Sequence, residues 1–236
     1  MTAGDQRSRL PPAPGRVDRH PVDAIIFDFD GVLVDTAEDI ALAANAVLRR
    51  YSEPPVSLDR VRSGIGGGAE ALMRYLLPDR DGDTLAEAAA VFKAEYGRCF
   101  AMHTQLYPGV REVLERFVTT GVVMAIATNK TEPITRRLVA KFGLEPYLSS
   151  VVGPESVTRR KPDPEAIERI LGRLDVPPAR ALMIGDTPLD IVAGKAAGTG
   201  TCGALYGYGT EVEIVRAAPD FVIRSIAELP RALKNV

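Results

Sequence analysis

Short apolar runs alternate with stretches of helical periodicity along most of this chain. β-branched and small apolar residues cluster at 24–28, 122–127, 150–152, 181–185, 200–205 and 220–223, each run matching the length of one buried strand. Between most of them lie patterns of period 3.6. Residues 132–142 set Ile134, Leu138 and Phe142 at four-residue spacing, with Gly143 as a C-terminal stop. Residues 164–174 repeat the stripe with Ile167, Ile170, Leu171 and Leu174. Strands alternating with amphipathic helices predict an α/β fold built on a doubly wound parallel sheet, Rossmann-like in its winding.

The segment from 37 to 103 breaks the alternation. It carries helical patterns at 37–51, 58–63, 69–77 and 84–101 and no convincing strand. An all-helical block between the first strand and the rest of the sheet reads as an inserted cap, and the turn Tyr107-Pro108-Gly109 marks the return. Residues 1–21, with Pro11, Pro12, Pro14, Gly15 and four arginines, show no period and read as a disordered tail. The expected organisation is a tail at 1–21, an α/β core at 22–36 and 104–236, and a helical cap at 37–103. A cap above the carboxyl edge of a sheet can exclude water and supply substrate contacts. Leu42, Val47, Phe92 and Phe100 are expected to pack within it.

Composition narrows the class. At 236 residues, 46% hydrophobic and 25% charged, the chain can bury a large core. A net charge of −2, without a basic run or an aromatic–arginine cluster, argues against nucleic acid as a partner. No apolar stretch approaches the roughly 20 residues of a membrane helix, and no apolar signal core opens the chain. Cys99 and Cys202 stand far apart without metal-ligand spacing, which suits free thiols in a reducing cytoplasm, the expected location.

The candidate chemistry sits at strand ends. The first predicted strand ends in Asp28-Phe29-Asp30-Gly31-Val32, two carboxylates beside a glycine that permits a tight turn. Alone, the pair fits an Asx-type turn as well as a site for Mg²⁺ and a covalent or acid–base role. The second strand ends in Thr128-Asn129-Lys130 and the run at 181–185 in Gly185-Asp186-Thr187-Pro188-Leu189-Asp190. Lys161 stands in Arg159-Arg160-Lys161-Pro162, ahead of a helical pattern. In a doubly wound sheet, ligands bind beyond the carboxyl ends of the strands, so these groups are expected to converge.

The ordered set Asp-x-Asp-Gly-Val, Thr-Asn, Lys-Pro and Gly-Asp-x-x-x-Asp resembles the haloacid dehalogenase-like hydrolase superfamily, and the helical block resembles its C1-type cap. The similarity runs from Val22 to Pro230. Thr128-Asn129-Lys130, Ile65-Gly66-Gly67-Gly68 and Tyr206-Gly207-Tyr208 look most like phosphoglycolate phosphatases within it. The resemblance implies a Mg²⁺-dependent phosphatase acting on a small phosphate monoester, with 2-phosphoglycolate the leading candidate. It makes Asp28 the nucleophile that forms an aspartyl-phosphate. The metal ligands it implies are Asp28, the backbone carbonyl of Asp30, and Asp186, completed by water. Asp30 matches the general acid–base, whose presence points to oxygen esters rather than haloacids or phosphonates. Thr128 and Lys161 match the phosphate-binding groups, assisted by the backbone N–H groups of Phe29 and Asp30, and Asn129 matches a substrate contact.

Other residues keep two readings. Thr187-x-x-Asp190 with Pro188 is a capping-box pattern, which explains Asp190 as well as a place behind the metal orienting Lys161 does. Lys130 reads as a solvated charge, and His103 as a hinge or surface residue. Glycines 66–68 suit a helix–helix turn or backbone donors to a substrate carboxylate. Alternative functions are a phosphomutase of the β-phosphoglucomutase type and, in a different class, a phospho-acceptor switch or a binding protein. Asp30 and the cap argue against the switch, which needs neither leaving-group protonation nor a lid. The expected partners are a small phosphorylated metabolite and at most a second copy of the chain in a homodimer, with no nucleic acid and no membrane.

Overall fold

The computed structural model describes residues 22–233, so the tail expected at 1–21 and residues 234–236 lie outside the described residues. The chain begins with strand β1 (Ala24–Phe27), the two-residue strand β2 (Val34–Asp35) and helices α1 (Ala37–Arg50), α2 (Leu58–Arg62), α3 (Ala69–Leu76) and α4 (Gly82–Cys99). It continues through β3 (Gln105–Leu106), α5 (Val110–Thr119), β4 (Val123–Ala127), α6 (Glu132–Lys141), β5 (Ser150–Val152) and α7 (Glu165–Leu174). Strand β6 (Ala181–Gly185), α8 (Pro188–Ala196), β7 (Gly200–Ala204), α9 (Glu211–Arg216), β8 (Phe221–Ile223) and α10 (Leu229–Ala232) complete it.

Six strands form one parallel sheet in the order β5-β4-β1-β6-β7-β8. The order places β1 centrally, between β4 and β6, where the winding reverses. Alternate residues of β1 face opposite sides: Ile25 and Phe27 join the core shared with α5 and α6, whereas Ala24 and Ile26 join that of α7 and α8. All four are completely buried, which is why the strand reads as a continuous apolar run rather than an alternating one. The fold is the doubly wound α/β sheet that the alternation predicts.

Helices α1–α4 follow β1 without a strand among them, and α4 packs along both α1 and α3. Their starts follow from capping. The Ser57 side chain accepts from Arg60 N at 3.2 Å, and Asp81 accepts from Thr84 N at 2.8 Å. The Asp81 cap draws Gly82 and Asp83 into the first turn, so α4 starts two residues before the stretch at 84–101. Val47, Phe92 and Phe100 are buried as expected, but Leu42 is not: it is 46% exposed on the outer face of α1.

The helices leave and rejoin the sheet through β2 and β3, paired antiparallel with Val34 opposite Leu106 and Asp35 opposite Gln105. Asp39, at the start of α1, ties this junction. Its fully buried carboxylate accepts from His103 N (2.8 Å), Thr104 N (3.0 Å) and Thr104 Oγ1 (2.7 Å). His103 itself is half exposed, 3.6 Å from Glu38. Among the described residues, no helix is long and apolar enough to cross a membrane.

Candidate active site

The carboxyl ends of β1, β4 and β6 are adjacent because the strands are. They deliver Asp28, Thr128 and Asp186, each at most 5% exposed, into one place. After β1 the backbone closes a tight turn in which Leu33 N and Val34 N both donate to Phe29 O, at 3.0 and 3.2 Å. Gly31 sits in it at φ +79°, and a Cβ there would lie 2.0 Å from Asp186 Oδ2. A Cβ on Gly207 would come within 2.3 Å of Asp186 Cβ. Asp186 is therefore clasped by two backbone segments that only glycine allows so close.

Lys161 holds the centre. Its ammonium donates to Ala127 O (2.7 Å) and Asp190 Oδ1 (2.6 Å) and lies 3.0 Å from Asp28 Oδ1. Burial opposes the ammonium, but Asp190 and Asp28 more than offset this and raise its pKa, so it stays charged. Asp28 Oδ1 also accepts from Phe29 N at 2.7 Å, which fixes the rotation of the carboxylate. The two readings of Asp190 prove compatible because its two oxygens divide the work. Oδ2 accepts from Thr187 N (3.0 Å) and Thr187 Oγ1 (2.7 Å) at the start of α8, while Oδ1 binds Lys161.

The cluster carries more negative charge than one lysine can balance. Asp28, Asp186 and Asp190 bring carboxylate oxygens within 4.8 Å of one another. Burial, followed by Asp190 and Asp30 and against the pull of Lys161, lifts the Asp28 pKa to about 7. Burial and the charges of Asp190 and Asp28 push Asp186 well above the usual carboxylate range. Asp186 Oδ2 accepts from Tyr208 N at 2.7 Å, but its Oδ1 is buried without a hydrogen-bond partner. An orphaned buried carboxylate oxygen beside a second raised carboxylate is what a hard divalent cation would satisfy. Asp28 and Asp186 have the oxygens to hold it, with the Asp30 carbonyl in the same turn, whereas both oxygens of Asp190 are engaged.

Asp30 lies at the open side of the cluster. Both its oxygens are 3.1 Å from Lys130 Nζ, and Oδ1 accepts from Thr36 Oγ1 at 2.8 Å. Lys130 is thus not the solvated charge expected of it: its side chain is 6% exposed and donates to Tyr96 OH at 2.7 Å. Burial holds its pKa below the usual lysine value, against the opposing pull of Asp30. The sequence offered no signal for this contact, since Lys130, Asp30 and Tyr96 are distant in the chain. Asn129 is equally engaged. Its Nδ2 donates to Gly66 O (2.9 Å) and Lys161 O (3.0 Å), and Oδ1 accepts from Lys161 N (3.1 Å). A substrate contact by Asn129 would compete with these bonds.

Asp28, Asp30, Thr128, Asn129 and Lys130 line a cleft between the sheet and helices α1, α3 and α4. Across it, Ile40, Ile65, Leu72 and Phe92 form an apolar wall. Glu70, Lys93 and Arg160 close one end, with Glu70 Oε1 2.7 Å from Lys93 Nζ and Oε2 bonded to Arg160. Gly66, near Thr187, and Gly68, near Arg160 and the Asn129 carbonyl, bring the segment between α2 and α3 against the sheet side.

Residues 25–204 match the family model described as haloacid dehalogenase-like hydrolase. The chain is 35% identical over 211 residues to phosphoglycolate phosphatase 1 of Pseudomonas aeruginosa, covering 87% of this chain and 77% of that protein. It is 34% identical to the phosphoglycolate phosphatase of Aquifex aeolicus, over 89% of this chain and 96% of that one. Among solved structures, a predicted phosphoglycolate phosphatase from Haemophilus somnus 129PT superposes with a TM-score of 0.83 at 28% identity, covering 89% and 97% of the two chains.

Proposed function

The chain belongs to the haloacid dehalogenase-like hydrolase family, and on that premise we propose that it is a Mg²⁺-dependent phosphatase cleaving a small phosphate monoester through phospho-Asp28. The relatives' activity makes 2-phosphoglycolate the leading substrate. The supporting observation is that Asp28, Asp30 and Thr128 line one cleft while Lys161 stands 3.0 Å from Asp28. Helices α1–α4 then act as the cap over it.

In this reading an Asp28 oxygen attacks phosphorus and the bond from phosphorus to the ester oxygen breaks. Asp30, in its protonated form, gives its proton to the departing alkoxide. The Asp30 carboxylate left behind then takes a proton from water, whose oxygen attacks the phosphorus of phospho-Asp28. Inorganic phosphate leaves and both carboxyl groups are restored. Lys161 and the Thr128 hydroxyl stabilise the peripheral oxygens as charge spreads over them. A divalent cation held by Asp28, Asp186 and the Asp30 carbonyl would reduce the repulsion between two anions that must meet.

The test is phosphate release from a panel of phosphorylated metabolites with Mg²⁺, for the wild type and Asp28→Asn. Turnover of at least one monoester is expected, with a loss of at least about a thousandfold in the variant, whose melting curve should show a folded protein. Retained activity in Asp28→Asn would remove the covalent route. Strict dependence on a sugar bisphosphate would replace the phosphatase with a mutase.

A further inference from the structure

Lys130 has no part in the chemistry above, yet it is the cation closest to the acid–base residue. It extends from the end of β4, and its ammonium sits 3.1 Å from both oxygens of Asp30. The same ammonium donates to Tyr96 OH at 2.7 Å and lies 4.3 Å from the ring centroid. Tyr96 belongs to α4, across the cleft from the sheet, and is 3% exposed. Its ring stacks on Phe92, 5.7 Å between centroids, so the hydroxyl has a fixed place. On its other side, Asp30 Oδ1 accepts from Thr36 Oγ1, and Thr36 N donates to Tyr208 OH at 2.7 Å.

A carboxyl group that must give and then take a proton at one oxygen has to be held in one rotamer. Thr36 contacts only one oxygen and leaves rotation about the side chain possible. Lys130, equidistant from both oxygens, removes that freedom. Lysine's own four-carbon stem is flexible, however, and it gains a fixed position only when its head group has a second partner. Tyr96 is that partner, and it arrives with the helices.

We propose that Lys130 is a positioning residue that fixes the Asp30 carboxylate, and that its bond to Tyr96 makes this positioning depend on α4 being docked over the cleft. Proton transfer from Asp30 to the departing alkoxide is then tied to a covered site. The inference rests on the phosphatase reading above.

The experiment compares wild type, Lys130→Met and Tyr96→Phe on an alkyl phosphate and on p-nitrophenyl phosphate, with Mg²⁺. The quantity measured is kcat/KM, which reports the step that expels the alcohol. p-Nitrophenolate leaves without a proton, so that ester barely depends on Asp30. Lys130→Met should lower kcat/KM on the alkyl ester about a hundredfold and on the aryl ester under about tenfold. Tyr96→Phe, which keeps the ring packing, should move the same ratio in the same direction by about three- to tenfold. Equal losses on both esters, or no loss, would make Lys130 a structural ion pair and overturn the proposal. Should Lys130→Met not fold, the ratio in Tyr96→Phe decides. Failure of the wild type to release phosphate from any member of the metabolite panel would instead refute the phosphatase reading itself.

Discussion

The cluster around Lys161 and the seam between the sheet and helices α1–α4 border the same cleft but are built in opposite ways. Asp28, Asp186, Asp190 and Lys161 are each at most 5% exposed and stand on strand ends, a helix start and a loop. Their positions are set by a parallel sheet in which β1 is paired on both sides. The seam rests on side chains meeting across a gap: Asn129 on Gly66, Lys130 on Tyr96, Arg160 on Glu70. Part of it is open to water, with the side chains of Glu70 and Arg160 40% and 36% exposed. The difference assigns the two sides different work. In the proposed reaction, the groups that meet phosphorus are the buried ones at the ends of paired strands, and the groups that would admit and cover a substrate sit where few bonds need break.

The largest expected effect is on the rigid side. Asp186 carries an unpartnered buried oxygen in a cluster with excess negative charge. Saturating Mg²⁺ should raise the melting temperature of the wild type, the linkage amounting to about 2.7 kcal/mol at a hundred times Kd. Asp186→Asn should abolish this rise and lower turnover at least about a hundredfold. Because the substitution relieves repulsion, the metal-free variant should melt no earlier than the metal-free wild type. A variant that keeps the full Mg²⁺-induced shift would take Asp186 out of the metal site.

An intermediate effect is expected at Asn129, which belongs to both regions. One amide holds the backbone of Lys161 and the carbonyl of Gly66. Asn129→Ala leaves these groups without partners, at a cost of about 1–3 kcal/mol. For a chain of this size the melting temperature should fall by roughly 2–4 °C for each kcal/mol. Lys161 also loses its backbone anchor, so KM for the phosphate ester should rise together with the fall in stability. A lower melting point with unchanged KM would show that Asn129 serves the seam alone.

The same contrast governs how much could be read in the sequence. Strands β1, β4 and β6 are the most legible, because they lie inside the sheet and leave nearly uninterrupted apolar runs, while β5, β7 and β8 are shorter or carry Ser150, Thr201 and glycines. Asp28, Thr128 and Asp186 are legible because polar residues end those runs and the winding brings the ends together. The seam is not legible in this way. Lys130 meets Asp30 and Tyr96 across 100 and 34 residues, and Asn129 meets Gly66 across 63. A lysine carries no local sign of which carboxylate it will find, so it reads as solvated. Strands β2 and β3 have two residues each, too few to express a period of two. Leu42 fails for the converse reason, since its hydrophobicity does not disclose that α1 turns it outward. Asp190 was ambiguous only because a single carboxylate performs both tasks that its pattern allowed.

The smallest effect belongs to the exposed end of the seam, and its sign separates the two regions. Burial raises the pKa of Glu70, but hydrogen bonds from Arg160 and Lys93 outweigh it and bring the group from 4.5 down to about 2. In the unfolded chain Glu70 takes up its proton near 4.5, whereas in the folded protein it stays ionised to about 2. Its stabilisation is therefore complete above pH 4.5 and disappears as the pH falls towards 2. With both partners partly in water, screening holds the contribution to about 1 kcal/mol or less. Urea denaturation of wild type and Glu70→Gln should show that gap at pH 6, a narrower one at pH 3, and a further reduction in high salt. A gap that does not change with pH or salt would mean that Glu70 acts by packing, and that this end of the seam is as rigidly built as the cluster around Lys161.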